Sequence, residues 1–455
     1  MKIRIFLAGL FLTVLDAAEP PATLRAGAAH ADITPDPAVL NWVTGKPYGS
    51  VRDPLSVHAL VLDDGTTKSA LIRWDLADVS ESARDEVRRV VGAALAIPPE
   101  NILVHASHNH SAPWSPVWRA GLRSQERDTW WAVRYMPAQN EFPPFAAWMS
   151  RLLAASVEAA REAAASARPV TLAVGRIALG EYLHNRRPRA PAWGVVVAKS
   201  AAAPSPSSPE WNPELLSLGA SFGPLDRTFS LVSFRAADGR PVASLFHVAC
   251  HAVSIYPSNP ALSADWPGPT AQKISAALGG EALFLQGCAG DINPWRRGTA
   301  AVAEMSDGIA KKTALVARFS TQLALGPLHT ARATIALPLT PAGKQRLGAD
   351  TVDAEIQIIV CGPFALVALP GEPMTELGTA IRAASPFPQT IVLGYSNGNG
   401  AHYVGLPGEK ARGGYEAGVA GAGTDACAQL MIDAAVRLLH EAAALPGMVP
   451  VRFKP

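Results

Sequence analysis

The sequence predicts an α/β fold: one large mixed-sheet domain with helices packed on the sheets. Two observations carry this. Strand-like apolar runs alternate with helical periods along most of the 455 residues. Neighbouring runs are joined by Asp-Gly turns, which make antiparallel hairpins and rule out a purely parallel sheet. Apolar residues make up 49% and charged residues 17%, so a sizeable core is readily buried. The net charge of +2 gives no electrostatic argument for nucleic acid or an anionic membrane surface.

The elements follow in chain order. Lys2 and Arg4 precede an apolar run from Ile5 to Leu15, then small residues at Ala17 and Ala18. That is the order of a secretory signal, too short to span a bilayer, so residues 1–18 are expected to be removed on export to the periplasm or beyond. No later stretch is long and apolar enough to predict a transmembrane helix. "HALVLDDG" and "KSALIRWDLADV" predict a hairpin turning at Asp63-Asp64-Gly65, "SARDEVRRVVGAAL" a helix, and "ENILVHASHNH" the next strand. "FAAWMSRLLAASVEAAREAAASA" reads as a long alanine-rich helix and "PVTLAVGRIAL" as a strand. Residues 190–223, with "SAAAPSPSSPEWNP" inside, read as a loop insertion. "TFSLVSFRAADGRPVASLFHVACH" predicts a hairpin turning at Asp238-Gly239, followed by a helix from Thr270 to Leu278. "EALFLQGCAGDINP" is a buried strand running into a loop with Asp291 and Asn293 at its tip. "EIQIIVCGPFALVALPGEP" is a third hairpin leading into the helix "MTELGTAIRAA". "QTIVLGYSNGNGAHYVG" opens from a strand into a polar loop, and "DACAQLMIDAAVRLLHEAAA" closes the chain as a helix. Cys250, Cys288, Cys361 and Cys427 are too widely spaced for a cysteine zinc site and are expected to be buried free thiols.

Three of the 11 histidines crowd into six residues of "VHASHNHSAP". In a strand, residues two apart share a face, so His108 and His110 are expected to converge while His105 points away. Neutral imidazoles at this spacing suit zinc, at a metal site where strands end. Two capped or exposed histidines would read the same, so the pattern alone leaves both open. His247 and His251 follow a strand-like run at a spacing of four, and one of the two is expected to face the site. Glu372 sits where a strand meets a helix, as a ligand or as a complement to the helix dipole. Tyr403 and Tyr415 occupy the last polar loop, as site residues or as packing.

Taken in order, these motifs resemble the catalytic domain of the neutral, non-lysosomal ceramidases, amidases that cleave N-acyl-sphingosine. The resemblance runs from "AHADITP" (Ala29 to Pro35) to the final helix, so residues 19–455 are expected to form one such domain. "ASHNHSAP" is similar to that family's T-H-T-H-S-G-P, and "FHVACHAVS" to its F-x-x-H-G-T-S. "HNRRP", "QGCAGDINP" and "LPGEPMTELG" resemble its N-R-S-P, N-x-G-D-V-S-P-N and P-G-E-x-T-T. "AHYVGLPGEKARGGYE" resembles its Y-V-T-T segment with a second Tyr-Glu. The resemblance implies one Zn2+ held by His108, His251, Glu372 and Tyr403, with His110, Arg186 and Tyr415 on the substrate side.

Three departures shape the expectation. Asn293 stands where the family has a serine proposed to act in catalysis; its amide cannot be a nucleophile but can donate to an oxyanion. A segment with Trp114, Trp118, Trp130, Trp131 and Trp148 follows the histidines, as a lid, a wall or packing. The chain ends at Pro455, so the resemblance is to a short form without the C-terminal β-sandwich of long ceramidases. The expected activity is zinc-dependent cleavage of a linear amide in an N-acylated lipid or related N-acyl compound, in the manner of sphingolipid metabolism. Zinc lowers the pKa of bound water to near ~7, giving a hydroxide nucleophile without any serine. The alternatives are a metal-dependent esterase or lactonase, although the H-x-H-x-D-H pattern is missing because Ser111-Ala112 follow His110, and an inactive or repurposed exported binding protein. Contact with a membrane surface and the oligomeric state stay open.

Overall fold

A computed structural model describes residues 23–118, 139–190, 221–256 and 260–448. The expected export signal, residues 191–220 of the insertion, Trp130 and Trp131 lie outside the described residues.

The first sheet contains β1 (Arg25–Asp32), β2 (Ser56–Asp63), β3 (Lys68–Trp74), β4 (Ile102–Ala106) and β5 (Arg168–Pro169), in the order β4-β3-β2-β1-β5. The β2–β3 hairpin forms as expected, with Asp63 opposite Lys68. Asp64 closes its turn by accepting from the amides of Thr66 and Thr67. Helix α1 (Glu81–Leu95) crosses from β3 to the parallel β4; Ser80 caps its start by accepting from the Ala83 amide. Helix α2 (Pro143–Ala165) lies on β1 and β2. A Cβ at Gly27 would sit 1.9 Å from the Ala163 carbonyl oxygen, so only glycine lets this helix approach β1 so closely.

The second sheet contains β6 (Thr171–Ala178), β10 (Thr228–Arg235), β11 (Pro241–Val248), β12 (Glu281–Gln286) and β14 (Thr321–Leu323), in the order β12-β11-β10-β6-β14. Helix α3 (Pro267–Leu278) crosses from β11 to the parallel β12 and packs on α4 (Thr299–Arg318). The third sheet contains β15 (Leu328–Pro338), β16 (Thr351–Cys361), β17 (Phe364–Ala368) and β19 (Gln389–Leu393), in that order. The short helix α5 (Pro341–Leu347) joins β15 to β16, α6 (Thr375–Ala384) crosses from β17 to the parallel β19, and α7 (Ala426–Ala443) covers β15 and β16. Short pairs complete the described part: β7 (Leu183–Asn185) with β13 (Ile292–Pro294), β8 (Pro188–Ala190) with β9 (Ser221–Phe222), and β18 (Glu372–Pro373) with β20 (Tyr403–Val404).

Period-two alternation explains the layering. Leu60, Leu71 and Leu103 of the first sheet, Val232, Leu245 and Leu285 of the second, and Ile359, Leu366 and Ile391 of the third meet in one apolar cluster. The opposite faces turn outward onto helices, through Val57, Ile72 and Phe284 in one cluster and Ile356, Ile358 and Val367 in another. Strands covered on both faces read as continuous apolar runs, which is why the sequence marked them well. Burying an Ile or Leu side chain stabilises by about 1.5–3 kcal/mol, so these shared layers hold the sheets together. The four cysteines are buried and unpaired, as expected.

The structure corrects several expectations. Strand β4 ends at Ala106, so His108 and His110 do not converge by strand alternation. Asn293 lies within β13 opposite His184, not at a loop tip. Trp148 is a core residue whose indole donates to the Ile33 carbonyl, and Trp118 packs against the same core. Helix α4 and strands β1 and β15 have no counterpart in the sequence reading. In β15 intermediate and exposed side chains predominate between two buried leucines, which hides its apolar face.

A buried ion pair ties α1 to the third sheet. Arg88 grips both carboxylate oxygens of Glu355, at 2.7 and 3.0 Å, and Arg332 adds a third contact at 2.9 Å. Glu355→Ala would leave the Arg88 guanidinium buried without its partner. It is expected to cost about 3–5 kcal/mol in urea unfolding; a loss below about 1 kcal/mol would mean that the pair contributes little to holding α1 in place.

Candidate functional site

Parallel strands set the location. β3 and β4, β11 and β12, and β17 and β19 are parallel pairs, and the segments leaving their C-terminal ends meet one another. Isolated bridges join His105 to Ser396, Asn109 to Ala252 and Gly287 to Leu393. Ligands commonly bind in such a crevice beyond the carboxyl ends of parallel strands.

The segment after β4 turns sharply. His108 has φ +57, and the amides of Ser107, Asn109 and His110 donate to the carbonyls of Trp74, Leu76 and Ala252. This left-handed residue re-aims both imidazoles, bringing His108 Nε2 and His110 Nε2 to 3.1 Å. His251 arrives from the segment after β11, held by its amide and its ring Nδ1 on the Ile292 carbonyl, each at 3.0 Å. Glu372 comes from β18, where it pairs in parallel register with Tyr403. Of the two histidines at this strand end only His251 faces the site; His247 remains on β11 with its Nε2 against the Val392 carbonyl.

The hydrogen bonds determine which ring nitrogens are free. A carbonyl only accepts, so His108 donates from Nδ1 to Ala77 (2.7 Å) and His251 donates from Nδ1 to Ile292. In the neutral rings both Nε2 atoms then carry lone pairs. Both point at the same oxygen, Glu372 Oε2, at 3.0 and 3.2 Å. Burial, with His108 and Arg186 nearby, drives the His251 pKa down to about 3; burial and the neighbouring histidines push His110 well below the ordinary range. Two lone pairs aimed at a carboxylate repel unless a cation lies among them. Among the described residues His251 Nε2 has no hydrogen-bond partner, and donor atoms of His108, His110 and His251 lie within 4.8 Å of one another. Two imidazoles and a carboxylate thus suit a divalent metal such as zinc.

Of the other expected residues, His110, Arg186, Tyr403 and Tyr415 border the same space, and Asn293 lies buried behind Arg186. Tyr403 receives a hydrogen bond from Arg186 Nη2 at 3.1 Å, and burial raises its pKa well above the ordinary range. Arg186 also donates to the Gly290 carbonyl at 2.8 Å and to Asn293 Oδ1 at 3.4 Å, and lies 5.8 and 6.0 Å from the ring centroids of Tyr403 and Tyr415. Asn293 Nδ2 is buried without a hydrogen-bond partner among the described residues. His108, His110, Arg186, Glu372, Tyr403 and Tyr415 line a cleft of about 140 Å³ whose remaining wall is Trp42, Val43, Trp114 and Tyr256. His105 lies outside this wall: its ring bonds Ser396 and accepts from the Gln286 amide, pinning three segments together.

Three participants were missed by sequence reading. His402 Nε2 lies 2.9 Å from Glu372 Oε1, Tyr395 stacks on His108 at 4.0 Å and donates to Glu372 Oε2 at 3.4 Å, and Glu416 holds Arg186 Nε at 2.5 Å. A signal existed for His402, the histidine adjoining Tyr403 in a glycine-rich loop. The helix-dipole explanation of Glu372 gives way, because α6 begins only at Thr375 and its first-turn acid is Glu376.

No protein-family model and no curated protein matches the sequence. Solved structures share the fold, two ceramidases among them. The neutral ceramidase from Pseudomonas aeruginosa superposes with a TM-score of 0.69 at 18% identity, over 96% of this chain and 76% of that one. A structure described as ceramidase complexed with C2 gives 0.69 at 17%, over 95% and 77%. The chain therefore has a ceramidase-like mixed α/β fold.

Asp291 anchors the carboxylate's surroundings. Its two oxygens accept from the Thr375 amide at the start of α6 and from Asn185, at 2.8 and 2.7 Å, while burial raises its pKa to about 6. Asp291→Ala removes a helix-start acceptor and is expected to lower stability by about 1–2 kcal/mol. An unchanged urea midpoint would show that α6 does not need it.

Proposed function

We propose that this chain is a zinc-dependent amidohydrolase cleaving a linear amide in an N-acylated lipid or related N-acyl compound, with His108, His251, Glu372 and Tyr403 holding the ion. The observation that carries this reading is the pair of imidazole lone pairs directed at one carboxylate oxygen. The fold shared with proteins named ceramidases supports the amide as the reacting group. When bound, zinc polarises a carbonyl and brings the pKa of a water toward ~7.

The chain's own groups supply the rest. The Ala77 and Ile292 carbonyls keep His108 and His251 in the tautomer that presents Nε2. His110 faces the cleft beside His108 and is placed to exchange a proton with the amide nitrogen or to donate to its oxygen. Arg186 engages Asn293 Oδ1 and so orients that side chain, leaving Nδ2 as a donor for the developing oxyanion. This role needs no covalent acyl intermediate, which suits an asparagine where the resembling family has serine. Trp42, Trp114 and Tyr256 offer an apolar wall for the acyl part. The signal-like first 18 residues place this activity outside the cytoplasm in our reading.

His108→Ala is expected to lose metal and turnover together, measured by metal analysis and by N-acyl amide hydrolysis. His110→Ala should keep the metal and lose about 10²–10³ in turnover. Equal metal loss in both variants would refute the division of roles. Asn293→Ala should retain measurable turnover with a moderate loss. Zinc-loaded wild type that stays at background across N-acyl lipids, N-acyl amino acids and N-acyl sugars would favour the inactive binding protein instead.

A further inference from the structure

A second histidine cluster lies far from the cleft. His30 on β1 and His58 on β2 are direct register partners, with ring centroids 5.5 Å apart. Glu281, the first residue of β12, reaches them from the second sheet. Its Oε2 is 3.0 Å from His30 Nδ1 and 3.8 Å from His58 Nδ1, and one donor atom from each residue lies within 4.8 Å of the others. Gln286, at the other end of β12, belongs to the segments around the cleft, and five residues of strand put Glu281 roughly 16 Å from it.

Ordinary pairing accounts for only part of this arrangement. His30 with Glu281 alone would be a surface ion pair, His30 being largely exposed. His58 is different. It is 8% exposed, and its Nδ1 is buried without a hydrogen-bond partner among the described residues. At 3.8 Å from the carboxylate oxygen it is too far for a hydrogen bond. Two donors sharing one tetrahedral zinc at ~2.0–2.2 Å lie about 3.3–3.6 Å apart, a value that the separations of 3.0 and 3.8 Å bracket. Arg73, the cation opposite His58 on β3, is paired with Asp75 at 2.8 Å. Glu162 adds negative charge near His30.

We propose that His30, His58 and Glu281 form a second site for a borderline transition-metal dication such as Zn2+, clamping the β1–β2 strand pair of the first sheet to β12 of the second. Two imidazoles and one carboxylate leave a coordination position open, and the exposure of His30 gives water access to it. An ion that binds only the folded chain raises its stability in proportion to occupancy, so this site is a metal-dependent staple between the sheets.

The test uses the full chain, stripped with chelator and dialysed against Zn2+, with bound metal counted by elemental analysis. Wild type is expected to hold two equivalents, and His30→Ala and Glu281→Gln one each. Zinc should raise the unfolding midpoint of wild type more than that of His30→Ala. Because His30 is exposed, its truncation leaves the core intact, and the cleft keeps its own ligands. Cu2+ bound to His108→Ala should give a spin-resonance spectrum with nitrogen couplings that vanish in His30→Ala/His108→Ala. Equal zinc content in wild type and His30→Ala, with equal midpoint shifts, overturns the second site without touching the cleft assignment. Loss of an equivalent in His108→Ala but not in His30→Ala overturns it as well.

Discussion

The carboxylate of Glu372 is the point on which the site's geometry depends. One of its oxygens faces His108 and His251, and the other faces His402. These three rings arrive on segments following β4, β11 and β19, so each sheet contributes to a single buried charge. Such a charge is costly to bury unless partners surround it. The parallel pairs converge their C-terminal ends here, and the backbone of β18, paired with β20, delivers Glu372 beside Tyr403. Moving any one sheet would leave the carboxylate short of a partner.

Around that point the chain concentrates further buried charge. Arg186 and Arg187 both bind Glu416, and Arg187 and Arg189 both bind Glu409. Buried pairs contribute little net stability when desolvation is counted, but they hold side chains in place. Here they hold the residue that bridges Tyr403, Gly290 and Asn293. The network joins the segment after β7 to the segment around Tyr415, and Arg186 and Tyr415 of these segments line the cleft. Its value lies in orientation: a guanidinium fixed on several sides presents a constant donor pattern to whatever enters.

His30, His58 and Glu281 use the same chemistry under a different constraint. At the cleft, the loops beyond the strands bring the donors together; at the second cluster, a strand register and the first residue of a neighbouring strand do so. The cleft lies where all three sheets converge, and the second cluster where the first sheet meets the second. A fold built of three sheets around one apolar layer has seams between them, and polar groups placed on a seam can bridge it.

What the sequence determined by itself was the alternation of buried strands and helices, because strands covered on both faces are apolar along their whole length. The hairpins at Asp63-Asp64-Gly65 and Asp238-Gly239 were legible because turn chemistry is local. Order of motifs brought His108, His251, Glu372 and Tyr403 to notice together, since short segments around chemistry carry unusual residue types. The half-exposed β15 escaped because its apolar face is interrupted by polar side chains. The tertiary structure alone decided how His108 and His110 come together, through a left-handed residue beyond the end of β4 that no alternation rule anticipates. It alone brought in His402, Tyr395 and Glu416, whose roles come from contacts across hundreds of residues or across a loop. And it alone paired His30 with His58 and Glu281, because register between strands is set by packing, which a list of residues does not contain.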